Sequence, residues 1–363
     1  MGTRSKKLSK YLPHISVSRR RFNKYNPAAE PERKPMPTAP VYSIFSYNDQ
    51  GLTEQKLLDY DWHTPVATDK ITWINVDGLY KDCVEHLCEQ YQVHPLLVED
   101  ILSVGQRAKM DEVDNRLFCL LPMIYFNPEN NTVEMEQVSM VIGPGFLLSF
   151  QEDALRDVFN PLRDKLRNGT LRIRERGADY LCYSLLDVIV DSYFGVIDQL
   201  GESIEAIESK LIHKNEQGVL EAISAIRKEV MLMKRAIVPV RELINGFLRT
   251  DNSLIEARNE KYFKDVSDHI IQANENCDNL RDLLVNLQDM YMNQINLRMN
   301  EVMKIFTMVS LLLAPATVIG GVFGMNFEQI PLLHNPVGFY FSVSAMLITP
   351  LLMLVYFKKK KWF

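Results

Sequence analysis

The chain has 363 residues, a formal net charge of −5 and a hydrophobic fraction of 47%. This length allows two or three domains, and this hydrophobic fraction is ordinary for a globular protein, so a membrane-embedded part must be a minority of the chain. The five cysteines are scattered without a Cys-x-x-Cys pair, which argues against a zinc ribbon and against a disulfide framework.

Residues 1–40 form a basic, proline-containing segment with stretches such as "RSKKLSK" and "SRRRFNK". We expect this tail to be disordered or loosely attached, because it cannot bury enough apolar surface to fold. A basic tail can contact anionic lipid or nucleic acid, but a solvated tail is the simpler interpretation. We therefore expect no nucleic-acid partner.

Residues 41–170 mix strand and helix patterns and predict one cytosolic α/β domain. The stretches "VYSIFSY", "ITWINVDG", "RLFCLLPMIYF" and "QVSMVIGPGFLLSF" predict strands, and the last is split at 143–145 as in a hairpin. Helical spacing occurs in "KDCVEHLCEQYQ" and "PLLVEDILSV". No phosphate-binding glycine loop and no catalytic constellation stands out, so an enzyme is the least favoured class.

From about residue 171 glycine and proline become rare, and apolar residues recur at the helical period. We predict three long helices, at about 175–213, 216–249 and 261–323. The third would have ~63 residues and a length of ~95 Å. That is too long for a compact domain, so we assign residues 171–302 to a stalk of long helices.

Two apolar segments near the C-terminus predict membrane spans. They cover Ile305 to Phe323, about 19 residues, and Val337 to Phe357, about 21 residues, and neither contains a charge. Two buried core helices are the alternative, but both lengths and flanks favour a membrane. We assign the pore-lining helix to 303–323, which adds Met303 and Lys304 in front of the charge-free run, and the second span to 337–357. The absence of ionisable residues argues against proton-relay chemistry within the bilayer.

The distribution of basic residues predicts the orientation of the spans. Arg298 and Lys304 precede the first span, four lysines follow the second, and the connecting loop 324–336 contains neither lysine nor arginine. The positive-inside rule places both termini, including residues 358–363, in the cytoplasm and the loop outside.

Small and polar side chains follow one face of the first span, three or four residues apart. The members of this stripe are Asn300, Met303, Thr307, Ser310, Ala314, Thr317, Gly321 and Gly324. Small residues also form packing seams between membrane helices, so the stripe alone leaves a seam and a pore open. Its polarity along the whole span, its end beside Asn326 and its continuity with a long cytosolic helix favour the pore. A pore would require a symmetric ring of protomers.

The stretch "FGMNF" at 323–327, two terminal spans and a basic C-terminus resemble the CorA family of magnesium/cobalt channels. The family signature is Tyr-Gly-Met-Asn, and Phe323 replaces its tyrosine. The likeness extends over "HPLLVEDIL", "EQVSMVI", "DYLCYSLLDVIVDSYF", "NEVMK" and "YFKKKKWF", and covers about residues 41 to 363. It implies an α+β membrane protein with an N-terminal α/β/α cytosolic domain, long stalk helices and two C-terminal transmembrane helices. It also implies a homopentameric funnel in the plasma (inner) membrane.

The resemblance assigns a selectivity filter to Gly324, Met325 and Asn326. Mg²⁺ dehydrates reluctantly, so a ring of amides can select the ion while it is still hydrated. Glu328, just outside, would raise the local cation concentration. The family's hydrophobic constriction falls at Met303, Phe306 and Ala314, where Phe306 is bulkier and Ala314 is smaller than in relatives. We therefore predict a gate centred on Met303 and Phe306.

The resemblance also assigns regulatory Mg²⁺ to acids between neighbouring cytosolic domains. Asp100 and Asp265 match one site, and Glu99 and Asp187 match a second. For each acid alone, a solvated surface group is the alternative. The same holds for a further acidic face, which comprises Asp191, Asp198, Glu202 and Glu205. The cluster Lys358, Lys359, Lys360 and Lys361 would ring the inner mouth, where it would bind lipid phosphates or oppose cation flow.

The resulting expectation is a passive, gated channel for Mg²⁺ influx, with Co²⁺ and Ni²⁺ as further substrates, closed by cytosolic Mg²⁺ and needing no organic cofactor. A zinc transporter, proton-coupled or not, is the alternative within the superfamily; the Gly-Met-Asn tripeptide and the lack of acids in the spans argue against it. A membrane-tethered sensor is the alternative from another class, and it would not need the polar stripe.

Overall fold

The computed structural model describes residues 40–58, 69–153, 157–169, 171–213, 218–327, 330–332 and 335–360. Nearly all of the basic tail expected over residues 1–40 lies outside these ranges. The chain divides into two compact units, the first ending at Leu284 and the second beginning at Val285.

The first unit contains a mixed sheet of seven described strands. The strands are β1 (Val41–Asn48), β2 (Gly51–Leu57), β3 (Ile71–Asp77), β4 (Lys109–Val113), β5 (Arg116–Asn127), β6 (Thr132–Gly143) and β7 (Phe146–Gln151). Their order is β2-β1-β3-β7-β6-β5-β4. Neighbours pair antiparallel except β3 and β7, which are parallel. The predicted hairpin is confirmed: β6 and β7 meet at Gly143 and Phe146, and Gly145 has a φ of +76°, which suits glycine.

The apolar patterns did not predict β2 and β4, which are the two edge strands of the sheet. Every residue of β2 and of β4 is partly or fully exposed. An edge strand needs no continuous apolar pattern, because water covers part of it. The central strands β3, β5, β6 and β7 are mostly buried and carry the apolar runs that predicted them.

Helices cover both faces of this sheet. On one face lie α1 (Lys81–Gln90) and α2 (Pro95–Leu102). Their apolar side chains form one buried hydrophobic cluster with Ile74 and Val76 of β3. On the other face α5 (Ala178–Ile212) contacts the sheet, where the Tyr193 hydroxyl donates to the Pro122 carbonyl. Glu229 of α6 (Val219–Arg249) accepts a hydrogen bond of 2.9 Å from the Val133 N–H. The α/β/α layering implied by the resemblance is confirmed.

The short helices α3 (Asn160–Arg167) and α4 (Leu171–Arg174) follow the sheet and were not predicted. Phe159 lies edge-on to Trp73 at 6.1 Å, and the Arg163 guanidinium lies over the same indole at 5.6 Å. These contacts place α3 against β3.

The three predicted long helices are confirmed with small shifts at their ends. They are α5, α6 and α7 (Glu260–Phe323), and α7 has 64 residues. A final helix, α8 (Pro336–Lys359), contains the second predicted span. The N-terminal part of α7 belongs to the first unit, and its C-terminal part together with α8 forms the second.

Among the described residues, three helices are long and apolar enough to cross a membrane, whereas the sequence analysis expected two. The additional helix is α5, whose apolar window is 61% buried within the protein, against 6% for the windows in α7 and α8. Side chains such as Leu185 and Ile189 are fully buried in the core of the first unit. The apolar composition of α5 therefore reflects a helix packed inside a protein on several sides.

Candidate functional site

Two faces of the C-terminal part of α7 differ in their burial. One face is covered or half-covered within the second unit, and it comprises Lys304, Met308, Leu312, Pro315, Ile319 and Phe323. Met308 is only 4% exposed. A Cβ added at Gly320, next to this face, would lie 3.7 Å from Met346 Cε of α8. The covered face is therefore the one directed toward α8.

The polar stripe predicted from the sequence lies on the opposite, exposed face. Every stripe position from Asn300 to Gly324 is exposed in the single chain, and Met303 is 57% exposed. A Cβ added at Gly321 would have nothing within 4 Å. At about 100° per residue the stripe and the covered face point in nearly opposite directions. The stripe is thus not the seam between the two apolar helices of one protomer.

Two threonines of the stripe bond to their own helix. The Thr307 hydroxyl donates to the Met303 carbonyl at 2.8 Å, and the Thr317 hydroxyl donates to the Leu313 carbonyl at 3.0 Å. Because each hydrogen is used within the helix, the oxygen lone pairs remain available as acceptors. The stripe can therefore offer acceptors to water or to hydrated cations. Phe306 lies beside it and is 68% exposed.

The Gly-Met-Asn tripeptide follows directly after the last residue of α7. The Gly324 N–H bonds to the Gly320 carbonyl at 2.9 Å, and the Met325 N–H bonds to the Val322 carbonyl at 3.3 Å. A Cβ at Gly324 would lie 3.0 Å from the Gly320 oxygen, so a larger residue would crowd this turn. Met325 is 54% exposed, and Asn326 is also exposed. Glu328, the expected source of cation attraction, lies outside the described residues.

The second apolar helix begins and ends with polar groups. Asn335 caps it, since its Oδ1 accepts from the Val337 N–H at 2.9 Å. At the other end Lys358, Lys359 and Lys360 are exposed. Lys361, the fourth member of the predicted cluster, is not among the described residues.

One group in the first unit brings three potential metal ligands together. Asp187 and Asp191 of α5 and His269 of α7 place one ligand atom each within 4.8 Å of one another. His269 Nδ1 lies 3.2 Å from Asp191 Oδ1 and 4.0 Å from Asp187 Oδ1. Burial, followed by the charges of Asp191 and Asp265, raises the pKa of the Asp187 carboxyl, while His269 opposes the shift. A bound cation would relieve this repulsion.

The remaining predicted acids have different surroundings. Asp265 is exposed on α7, near enough to Asp187 to act on its pKa. Glu99 and Asp100 lie half-buried on α2 and do not belong to the three-ligand group. Lys109 Nζ donates to Asp100 Oδ2 at 2.7 Å and also lies 2.9 Å from Asp111 Oδ2. Asp265 therefore lies within electrostatic range of Asp187 but outside the three-ligand group, and Asp100 is paired with an ammonium group.

Lys109 and His269 were not among the predicted site residues, and Asp191 was expected to lie on a solvated helix face. Asp191 and His269 could have been found from helix spacing. Asp191 lies four residues after Asp187, and His269 lies four residues after Asp265, so each shares a helix face with a predicted regulatory acid. The carboxylate oxygens suit a hard divalent cation such as Mg²⁺, whereas imidazole suits softer metals better. The carboxylates of Asp187 and Asp191 therefore fit the expected regulatory Mg²⁺, whereas His269 is a poorer ligand for it, and Asp100 would fit it once Lys109 is displaced.

Comparison with known proteins decides the family. Residues 68–359 match the model of the family described as CorA-like Mg²⁺ transporter protein. The chain belongs to this CorA family. It is 34% identical over 321 residues to the cobalt/magnesium transport protein CorA of Thermotoga maritima, which covers 88% of this chain and 91% of that protein.

Solved structures share the fold of this CorA-family chain. The complete structure of the CorA magnesium transporter from Methanocaldococcus jannaschii matches with a TM-score of 0.74 and 22% identity, over 89% of this chain and 98% of that one. The cytoplasmic domain of ZntB from Vibrio parahaemolyticus matches with a TM-score of 0.56 and 16% identity, over 70% of this chain and 98% of that one. At these identities the likeness concerns the fold alone, so it does not choose between metals. The fold class implied by the resemblance is confirmed.

Proposed function

We propose that the chain is one subunit of a gated channel that admits Mg²⁺, and also Co²⁺ and Ni²⁺, down their electrochemical gradients. The observation that carries this proposal is the exposed polar stripe on α7, opposite the face covered within the protomer and ending beside the exposed Asn326. A relative at 34% identity is named a cobalt/magnesium transport protein, which supports the choice of metals. The function involves no chemical reaction and no organic cofactor.

The channel is a ring of identical subunits in the cytoplasmic (inner) membrane. A single α7 cannot enclose a pore, so the stripes of several protomers must face one axis, and the family resemblance supports five. Residues 303–323 line the pore, residues 324–336 connect the spans outside, and residues 337–357 form an outer ring. Both termini are cytoplasmic because the basic residues flank the spans on that side. The exposed Lys358, Lys359 and Lys360 meet lipid phosphates there.

The filter is the ring of Gly324, Met325 and Asn326. Each Asn326 amide contacts the first hydration shell of the cation, because Mg²⁺ loses its waters reluctantly. A ring of carboxylates would hold the ion too tightly for rapid release, so neutral amides suit conduction. Glu328 raises the cation concentration just outside.

The gate lies lower in the pore, at Met303 and Phe306. Both side chains are large, apolar and more than half exposed in the single chain. A ring of such side chains can exclude water and so stop hydrated ions without a polar barrier. Ala314 is too small to narrow the ring in the same way.

The channel closes when cytosolic Mg²⁺ binds the acids of the cytosolic domain. Glu99, Asp100, Asp187 and Asp265 would hold the ion between neighbouring subunits, where it would supply positive charge among carboxylates. The raised pKa of the Asp187 carboxyl supports this role, because burial and then the charge of Asp191 disfavour the carboxylate, and a bound cation would stabilise it. Since the ion binds the closed arrangement better than the open one, falling internal Mg²⁺ opens the channel.

Mg²⁺ entry into liposomes that contain only the purified protein tests this function. A trapped fluorescent indicator reports entry with internal Mg²⁺ set low or high, for the wild type, Asn326→Ala and the matched variant Asn293→Ala, another exposed asparagine of α7. We expect entry at low internal Mg²⁺, suppression at high internal Mg²⁺, loss in Asn326→Ala and retention in Asn293→Ala. Entry that requires a pH gradient would indicate a coupled transporter, and no entry under any condition would indicate an anchored sensor.

A further inference from the structure

A cavity of about 750 Å³ lies between the sheet and α6 in the first unit. Its walls are the connection 105–108 before β4, the middle of β5 and β6, and residues 231–239 of α6. Pockets for small molecules typically measure about 300–1,000 Å³. None of the residues assigned above to the filter, the gate or the regulatory acids lines this cavity, so the proposed channel function does not explain it.

The cavity combines an apolar wall with cationic groups. Leu121 and Met135 come from the sheet, and Met231 and Val238 come from α6. Met231 is 40% exposed and Val238 is 43% exposed, although both are large apolar side chains. Apolar side chains that remain exposed inside a concave surface favour a ligand with an apolar body.

The charged groups of the cavity favour an anion. Arg107 and Arg235 both line it and are exposed, and neither forms an ion pair within the part of the chain that the structure describes. The acids of the lining are already engaged. Glu136 accepts from the Tyr125 hydroxyl at 2.6 Å and from the Asp153 N–H at 2.7 Å, and Glu152 accepts from the Gln137 N–H at 2.9 Å. Two available guanidinium groups suit a carboxylate or a phosphate.

Hydrogen bonds connect the cavity wall to Asp100. The side-chain amide of Gln106 donates to the Asp100 carbonyl at 2.9 Å and to the Ser103 carbonyl at 3.0 Å. The side-chain amide of Gln137 donates to the same Asp100 carbonyl at 3.2 Å, and its oxygen accepts from the Gln106 N–H at 3.2 Å. Both glutamines line the cavity. A ligand that displaced either glutamine would therefore remove a hydrogen bond that holds the Asp100 carbonyl.

We propose that this cavity is an effector site for a small organic anion that has an apolar body and a single carboxylate or phosphate group. The body lies against Met135, Met231 and Val238, and Arg107 and Arg235 bind the anionic group. Occupancy changes the position of Asp100 and with it the sensitivity of the channel to cytosolic Mg²⁺. This last step rests on the proposed function, whereas binding of the anion does not.

Binding is measured with the full-length protein in lipid nanodiscs by ¹⁹F NMR relaxation of 4-(trifluoromethyl)benzoate, with empty nanodiscs as the blank. The neutral 4-(trifluoromethyl)benzamide and the cationic 4-(trifluoromethyl)benzylammonium have similar bodies and test the charge requirement. The variants are Arg107→Gln combined with Arg235→Gln, the cavity-filling Val238→Trp, and the control Arg241→Gln, an exposed arginine of α6 outside the cavity.

We expect the benzoate to bind more tightly than the two other probes, and to bind at least about tenfold more weakly to the double arginine variant, because charge-assisted hydrogen bonds are lost. Val238→Trp should abolish binding, and Arg241→Gln should preserve it. Equal binding of all three probes, or benzoate binding that survives both cavity variants, would overturn the proposal, as would no binding at all.

The coupling is measured separately in the liposome assay. Saturating benzoate should shift the internal Mg²⁺ concentration that halves entry in the wild type but not in the double arginine variant. Benzoate binding without any such shift would overturn the coupling. Mg²⁺ entry in the absence of benzoate reports on the channel itself, so failure of the effector site and failure of the proposed function are distinguishable.

Discussion

Lys109 and Asp100 form an ion pair that a regulatory cation would have to displace. Lys109 Nζ lies 2.7 Å from Asp100 Oδ2 and 2.9 Å from Asp111 Oδ2. Burial alone would lower the pKa of Lys109, but the hydrogen bonds with Asp100 and Asp111 outweigh it and raise the pKa. Because the ammonium group occupies Asp100, the substitution Lys109→Met should make this carboxylate more available to Mg²⁺.

The size of the effect follows from the exposure of the pair. The side chains of Lys109 and Asp100 are 34% and 23% exposed, so solvent screens the attraction partly. Ion pairs that water can reach contribute about 0.2–1 kcal/mol. Removing the competitor should therefore tighten regulatory Mg²⁺ binding by about 1.4- to 5-fold.

The liposome assay measures this change as the internal Mg²⁺ concentration that halves entry. Lys109→Met should lower that concentration by the same factor. Lys81→Met is the control, since Lys81 pairs with Glu85 at 3.9 Å on α1 and not with a proposed regulatory acid. An unchanged or higher half-inhibiting concentration in Lys109→Met would refute the reasoning that the ammonium group competes with the cation.

Three further substitutions test other parts of the account. Asp187→Asn should raise the melting temperature in EDTA by about 1–3 °C, because burial and nearby charges disfavour the carboxylate of the wild type. The same variant should gain less stability from added Mg²⁺ than the wild type does. A lower melting temperature of the variant in EDTA would contradict this role of Asp187. Phe306→Ala should raise Mg²⁺ entry at high internal Mg²⁺ several-fold, and an unchanged leak would place the gate elsewhere. Gly338→Ala should lower the melting temperature, because the added Cβ would clash with the Leu332 carbonyl oxygen. Gly320→Ala is the control and should leave the melting temperature unchanged. Equal melting temperatures of the two variants would contradict the turn geometry at Gly338.

The long helices could be predicted because their information is local. A helical period sustained over thirty or more residues defines α5, α6 and α7 almost to their ends. The same pattern does not say what covers a helix. By composition α5 resembles a membrane span, and its 61% buried window becomes evident only when the sheet and the other helices are in place.

Lys109 and His269 were not predicted for the same reason, because their contacts arise only when elements distant in sequence pack together. The edge strand β4 has no apolar run, so it was missed, and with it the position of Lys109, its first residue, beside Asp100. The approach of His269 to Asp187 depends on the packing of two helices that are far apart in sequence. The stripe was predictable, because its period is contained in one helix.

Cysteine accessibility tests the central claim that the exposed stripe of α7 lines a cation pore. Thr317→Cys places a thiol on the stripe, and Ile319→Cys places one on the covered face directed toward α8. The native cysteines all lie in the first unit, away from the outer solution in the proposed topology. Each variant is treated from outside with a membrane-impermeant cationic methanethiosulfonate reagent, and Mg²⁺ entry is then measured. The reagent should block entry through Thr317→Cys and leave entry through Ile319→Cys unchanged. Equal sensitivity of the two variants, or robust entry through a fully labelled Thr317→Cys channel, would contradict it.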